Sequence, residues 1–327
     1  MRIKSLAAIL AGSAALAVAA VALEVDPALP SYKPTSGISG QLKSIGSDTL
    51  NNEMTLWAEG FKAIYPNVKI EIEGKGSSTA PPALVEGTSQ FGPMSRPMKA
   101  KEVEAFEKKY GYKPTTFRVA VDALAVYVNK DNPIKCLSLQ QVDAIFSKGR
   151  KGGFAKDITT WGDLGLTGEW ASKPISLYGR NSASGTYGYF KEVGLFDGDY
   201  KDTVKEQPGS STVVQGVASD KFAIGYSGIG YKTADVRPVP ISAKEGATCY
   251  DTSPDSAYSG NYPIARLLYI YVNKNPNQPL DPLRGEFVKY ATSKDGQKET
   301  IKGGYYPITN DLRVEDLKTL GLDGGKS

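Results

Sequence analysis

The sequence predicts an α/β fold in two lobes with a ligand cleft between them. Its 327 residues suit about two domains of ordinary size. From residue 42 onward, strand patterns alternate with helix patterns, the signature of sheets flanked by helices. One strand sequence also occurs twice, far apart in the chain.

The chain opens with the basic stretch Met1-Arg2-Ile3-Lys4, then an apolar, Ala-rich run from Leu6 to Leu23. Small-x-small sites at Ala17–Ala19 and Ala20–Ala22 make residues 1–22 read as a cleaved secretory signal peptide. The run is short for the competing reading, a membrane anchor. Cleavage after Ala22 removes Arg2 and Lys4 and no acid, lowering the net charge from +4 to +2. The mature protein is expected to be soluble, exported and periplasmic. Residues 23–39, with Pro27, Pro30 and Pro34, read as a loose leader.

Leu50, Met54, Trp57, Phe61, Ile64 and Tyr65 share one face of a predicted helix, and Val68, Ile70 and Ile72 alternate with charged residues as a half-buried strand. Pro81-Pro82 suit the first turn of another helix. Ser138-Leu139-Gln140-Gln141 is a capping-box start to a helix carrying Val142, Ile145 and Phe146. The repeated strand is Ala125-Val126-Tyr127-Val128-Asn129-Lys130, matched by Tyr269-Ile270-Tyr271-Val272-Asn273-Lys274, each followed by Asn-Pro. Either these are two strands at which the chain crosses between lobes, or two apolar strands coincide. On the crossing reading, lobe I is 40–122 plus 264–327, and lobe II is 123–263.

Histidine is absent, which excludes Ser-His-Asp and Cys-His catalysis and every His-ligated metal site. Two cysteines cannot build a zinc or iron–sulfur site unaided. In an exported chain, Cys136 and Cys249 either form a disulfide or stay as buried thiols. No cofactor is expected, and the near-neutral balance of 39 basic and 35 acidic residues argues against nucleic acid as a partner. A hydrolase would need a Ser–Lys pair such as Ser77 with Lys75. Gly324-Gly325-Lys326-Ser327 imitates a P-loop, but Gly321 is one residue too late to complete it. Asp197, Asp199 and Asp202 read as a surface turn.

Four segments combine Gly with small hydroxyl residues between a predicted strand and a helix: 46–50, 74–79, 92–97 and 179–186. Each alone reads as a helix cap. Together, unpaired N–H groups at helix starts, Ser and Thr hydroxyls and the fork of Arg180 make a site for a small oxyanion between the lobes.

These segments resemble those of the phosphate-binding proteins that serve phosphate ABC transporters, the PstS family. The likeness extends over most of the mature chain, through Val121–Asn129, Ser138–Phe146, Thr160–Gly165, Ala223–Tyr226 and Tyr306-Pro307-Ile308; Arg180-x-x-x-Ser184-Gly185-Thr186 is its most specific piece. The resemblance implies a two-lobed periplasmic-binding fold that closes over phosphate and delivers it to an inner-membrane ABC permease. It implies a monomer that is not an enzyme. Its ligand contacts would be Thr49, Leu50, Ser77, Ser78, Ser95, Arg180, Ser184, Gly185 and Thr186. Other tetrahedral oxyanions, sulfate and arsenate, remain alternatives. The chain has Ser95 where some members place an Asp on the ligand, and Ser182 where some place an Asp on the binding Arg. The first change weakens rejection of sulfate unless Asp48 supplies a carboxylate acceptor. The second leaves Arg180, expected as an exposed cleft residue, freer for the ligand. Arg96 is either a second cation at the site or a surface salt-bridge partner.

Overall fold

A computed structural model describes residues 23–322. The segment 1–22 expected to be a signal peptide and the terminal Gly-Gly-Lys-Ser lie outside the described residues. Twelve strands form two five-stranded sheets and one short pair. The first sheet uses β1 (Gly40–Ile45), β2 (Val68–Glu73), β3 (Phe91–Met94) and β4 (Thr115–Ala123). The second uses β5 (Ala125–Asn129), then, after β6 (Leu137–Ser138), β7 (Ser176–Arg180), β8 (Lys205–Gln207), β9 (Ala223–Ser227) and β10 (Val236–Pro238). β11 (Ile241–Ser242) pairs with β6, and β12 (Ala265–Val272) returns to the first sheet. The orders are β2-β1-β3-β12-β4 and β10-β5-β9-β7-β8. This is a two-lobed α/β fold, each lobe a mixed sheet with helices.

The chain passes between the two sheets twice, and each copy of the repeated sequence falls in the strand after a passage, the second copy at the far end of its strand. β4 ends in the first sheet at Ala123, and β5 starts in the second at Ala125. The return runs through Ile264 into β12, and the passages lie side by side: Ala265 pairs with Ala123, and the Leu124 N–H donates to the Ile264 carbonyl at 3.3 Å.

Local rules set most elements. Ser138 caps helix 139–146: its Oγ accepts the Gln141 N–H at 3.1 Å, and Gln141 Oε1 returns the bond to the Ser138 N–H at 2.9 Å. Helix 51–64 buries Met54, Trp57 and Phe61, and the Trp57 indole donates to the Gly296 carbonyl at 2.9 Å. β2 is an edge strand, so Val68 is buried while Ile70 and Ile72 are only partly covered. Cys136 and Cys249 form a disulfide.

The leader is not loose. Leu29 is buried, and the Tyr32 hydroxyl donates to Glu286 at 2.6 Å and lies 2.6 Å from the Tyr65 hydroxyl. Backbone bonds from Tyr32 to Asp295 and from Lys294 to Pro30 tie the segment to helix 294–302. Prolines that read as disorder instead stiffen a strap whose aromatic residue has a place to pack.

Helix 51–64 also carries one polar anomaly. Glu53 is fully buried, and neither carboxyl oxygen has a hydrogen-bond partner among the described residues. Burial, helped by nearby Glu299, pushes its pKa up to about 8, so the folded state holds a proton that the unfolded chain releases in the ordinary carboxylate range. Stability therefore falls as pH rises from that range through about 8. Glu53→Gln should leave the melting temperature close to wild type near pH ~5 and raise it by several degrees near pH ~9. A variant melting below wild type at the higher pH would contradict a neutral Glu53.

Candidate functional site

The four hydroxyl-rich segments follow the C-terminal ends of β1, β2, β3 and β7, where parallel strands open toward a crevice. Two bounds differ from the sequence reading: Gly92–Met94 and Gly179-Arg180 belong to strands, so the loops proper begin at Ser95 and Asn181. All four meet across the lobes.

On the first loop, the Thr49 hydroxyl lies 2.8 Å from that of Thr186 in the other lobe, and the Tyr305 hydroxyl holds the Thr49 carbonyl at 2.8 Å. The Leu50 N–H does not face the crevice freely; it donates to the Ser47 carbonyl at 3.3 Å within the 3₁₀ turn. On the second loop, Gly76 has φ +119°, and a Cβ there would stand 2.5 Å from the Ala183 carbonyl. That closeness lets the Ser78 N–H donate to Ala183 at 3.1 Å, a direct bond between lobes. Ser77 Oγ accepts the Ser95 N–H at 3.0 Å and lies 3.2 Å from Ser95 Oγ, which also takes a bond from Ser47 at 3.1 Å. Ser184 is a cap, its Oγ accepting from Thr186 N and Tyr187 N at 3.1 and 3.3 Å. Gly185 lies so close to the first lobe that a Cβ would fall 2.2 Å from Ser77 Oγ and 2.7 Å from Ser95 Oγ.

Arg180 is not an exposed cleft residue: it is 1% accessible. β7 aims it inward, where Nη1 donates to Ser210 Oγ at 2.7 Å and Nη2 to the Pro208 carbonyl at 3.1 Å. Nε has no partner among the described residues. Nor is Arg180 free of an acid, although Ser182 supplies none. Asp48 reaches across the lobes to within 3.3 Å of Nη1 and accepts the Ser210 N–H at 2.7 Å. Burial lowers the Arg180 pKa, and Asp48 opposes that shift. Asp48 is thus first of all the counter-charge of Arg180. Tyr231 adds a further interlobe bond, its hydroxyl donating to the Asp48 carbonyl at 2.6 Å.

Arg96 is neither a free cation nor a surface residue. It is buried and forks onto Glu102 at 2.8 and 2.7 Å, with Nη2 3.4 Å from Ser78 Oγ. Burial works to raise the Glu102 pKa, but bonds from Arg96 and the Lys99 N–H outweigh it and hold the carboxyl low. Lys75 is exposed and paired with Glu73 at 2.8 Å, which removes the Ser–Lys arrangement. Among the described residues no three or more Cys, Asp or Glu side chains are grouped to hold a metal.

A family model described as a PBP superfamily domain matches residues 32–295. The chain is 57% identical to the phosphate-binding protein PstS of Pseudomonas aeruginosa over 323 residues, covering 98% of this chain and all of that one. The chain belongs to the PstS family of phosphate-binding proteins. It is also 30% identical to PstS of Staphylococcus haemolyticus over 288 residues, 86% of each chain. A solved structure from Clostridium perfringens, assigned as a phosphate ABC transporter substrate-binding protein with bound phosphate, aligns with TM-score 0.68 and 25% identity, covering 83% of this chain and all of that one.

Two charged residues of this PstS-family site escaped the sequence reading. Arg266 on β12 donates through Nε and Nη2 to Asp122 Oδ2 at 3.0 and 2.8 Å, through Nη1 to the Ser95 carbonyl at 2.8 Å, and through Nη2 to Thr186 Oγ1 at 2.9 Å. The other is Asp122 on β4, a strand that also carries Arg118, whereas Arg266 is the single charge of β12. With Ser95 and Ser184, Arg266 lines an interlobe cleft of about 810 Å³ that also borders Arg96, Tyr187 and Tyr189.

The closeness at Gly185 gives a direct test. Gly185→Ala should hold the lobes apart, giving a larger radius of gyration than wild type by small-angle scattering in phosphate buffer, with an unchanged circular dichroism spectrum. An unchanged radius would mean that Ser77 and Ser95 yield instead.

Proposed function

We propose that this PstS-family protein is a periplasmic receptor that closes its lobes on inorganic phosphate and delivers it to an inner-membrane ABC permease. In this reading it works as an exported monomer without cofactor or nucleic acid, and as a carrier rather than an enzyme. The lobes are 40–122 plus 264–327 and 123–263, hinged at the paired crossings.

The observation that carries the reading is the buried guanidinium of Arg180, its Nε without a partner among the described residues, beside hydroxyls contributed by both lobes. Each Ser or Thr hydroxyl has one rotatable proton, so the contacts of Thr49, Ser77, Ser95 and Thr186 can turn from one another toward an anion. With Arg180, Ser184 and Gly185 these supply the donors. Leu50 and Ser78 border the site with their N–H groups engaged by protein carbonyls. The donors come from both lobes, so an anion bridging them favours the closed arrangement, as hinge closure requires.

Selectivity then falls to Asp48. Hydrogen phosphate has a proton that a carboxylate accepts, whereas sulfate leaves that carboxylate facing its oxygens. Ser95 cannot repel in that way. Asp48 uses Oδ2 for the Ser210 N–H and Arg180, and Oδ1 faces Gly209, 3.4 Å from where a Cβ would be.

Protein stripped of ligand should bind about one equivalent of phosphate by calorimetry, and Arg180→Ala should bind it at least about tenfold more weakly, a change of about 1.4 kcal/mol. The same variant should also lose stability, because Asp48 is left without its buried partner. Wild-type-like affinity in Arg180→Ala would overturn the site assignment.

A further inference from the structure

Arg266 is joined to both lobes by one planar group. From the first lobe it holds Asp122 and the Ser95 carbonyl; from the second it donates to Thr186 and lies over the Tyr189 ring, 5.2 Å from its centroid. Asp122 continues the bridge, since its Oδ1 accepts the Ile229 N–H at 2.8 Å. The ion pair sits beside the crossings, where β12 runs against β4 and Asp122 is the register partner of Arg266.

The direction of one bond has a chemical consequence. Arginine has donors only, so Thr186 Oγ1 must be the acceptor of the 2.9 Å bond from Nη2. That acceptance occupies a lone pair and turns the single Thr186 proton away from the guanidinium, into the site where the Thr49 hydroxyl lies 2.8 Å away and can itself be the donor of their contact. Without Arg266, the Thr186 hydroxyl is free to rotate and to present a lone pair to an approaching anion.

We infer that Arg266 is a positioning residue for anion capture: pinned by Asp122, it fixes the Thr186 hydroxyl as a donor to the bound oxyanion, and it does so only when the lobes are together. The inference rests on the phosphate reading above. It also gives Arg266 a role that an unoriented positive charge would not fill, because only a fork serves Asp122, Ser95 and Thr186 at once.

The test is a double-mutant cycle on phosphate affinity, measured by calorimetry on ligand-stripped wild type, Arg266→Lys, Thr186→Val and the double variant. Lysine keeps the charge opposite Asp122 and loses the fork. Arg266→Lys and Thr186→Val should each weaken binding by about tenfold, and the double variant should lie within about twofold of Thr186→Val alone. Additive losses, or an Arg266→Lys affinity within about twofold of wild type, would overturn the inference. If Arg266→Lys does not fold, the double replacement Arg266→Gln with Asp122→Asn takes its place in the cycle, with the same two outcomes. A wild type that binds no phosphate would instead defeat the phosphate reading, so the two failures are distinguishable.

Discussion

A cation taken out of water must be compensated, and the arrangement around Arg180 follows from that constraint. Its nearest carboxylate, Asp48, belongs to the other lobe, 3.3 Å away. An ion pair at this depth is costly to dehydrate unless its remaining donors and acceptors are met. Ser210, Pro208 and the start of helix 210–219 meet most of them. What is left over among the described residues is the Arg180 Nε, the donor that the proposed reading gives to the anion. The same pair makes closure a matter of charge: separating the lobes separates Arg180 from Asp48.

The fold brings the other donors to this pair by topology. β1, β2 and β3 run parallel, so their C-terminal ends deliver three loops to one edge of the first sheet, and β7 delivers the fourth from the second sheet. Glycine is required at the closest approaches, Gly76 against Ala183 and Gly185 against Ser77, because a side chain there would keep the loops apart. On the proposed reading, the paired crossings behind them serve as the hinge. Arg266 and Asp122 occupy that hinge, linking lobe position to hydroxyl orientation.

Much of this was legible in the sequence because it is local. The Ser138 capping box and the apolar face of helix 51–64 each depend on neighbours a few residues away. The four hydroxyl loops could be recognised as a set even though each resembles an ordinary cap, and Ser184 is in fact one. What was not legible depends on distant partners. Arg180 read as exposed because the acid that neutralises it lies 132 residues earlier, and Asp122 and Arg266 went unassigned because their pairing joins positions 144 residues apart. The leader read as loose because its anchors, Glu286 and Asp295, come from the far end of the chain. Backbone commitments were equally hidden: no sequence feature marks the Leu50 N–H as engaged by Ser47 or the Ser78 N–H by Ala183.

With a net charge near zero, capture of an anion depends on local groups, and on the proposed reading Asp48, the counter-charge of Arg180, also supplies the acceptor that selects phosphate. Calorimetric competition of phosphate against sulfate, on ligand-stripped wild type and Asp48→Asn, tests that directly. The account predicts that wild type prefers phosphate by at least about tenfold and that the preference narrows in Asp48→Asn. Sulfate excluded as completely by Asp48→Asn as by wild type would contradict it.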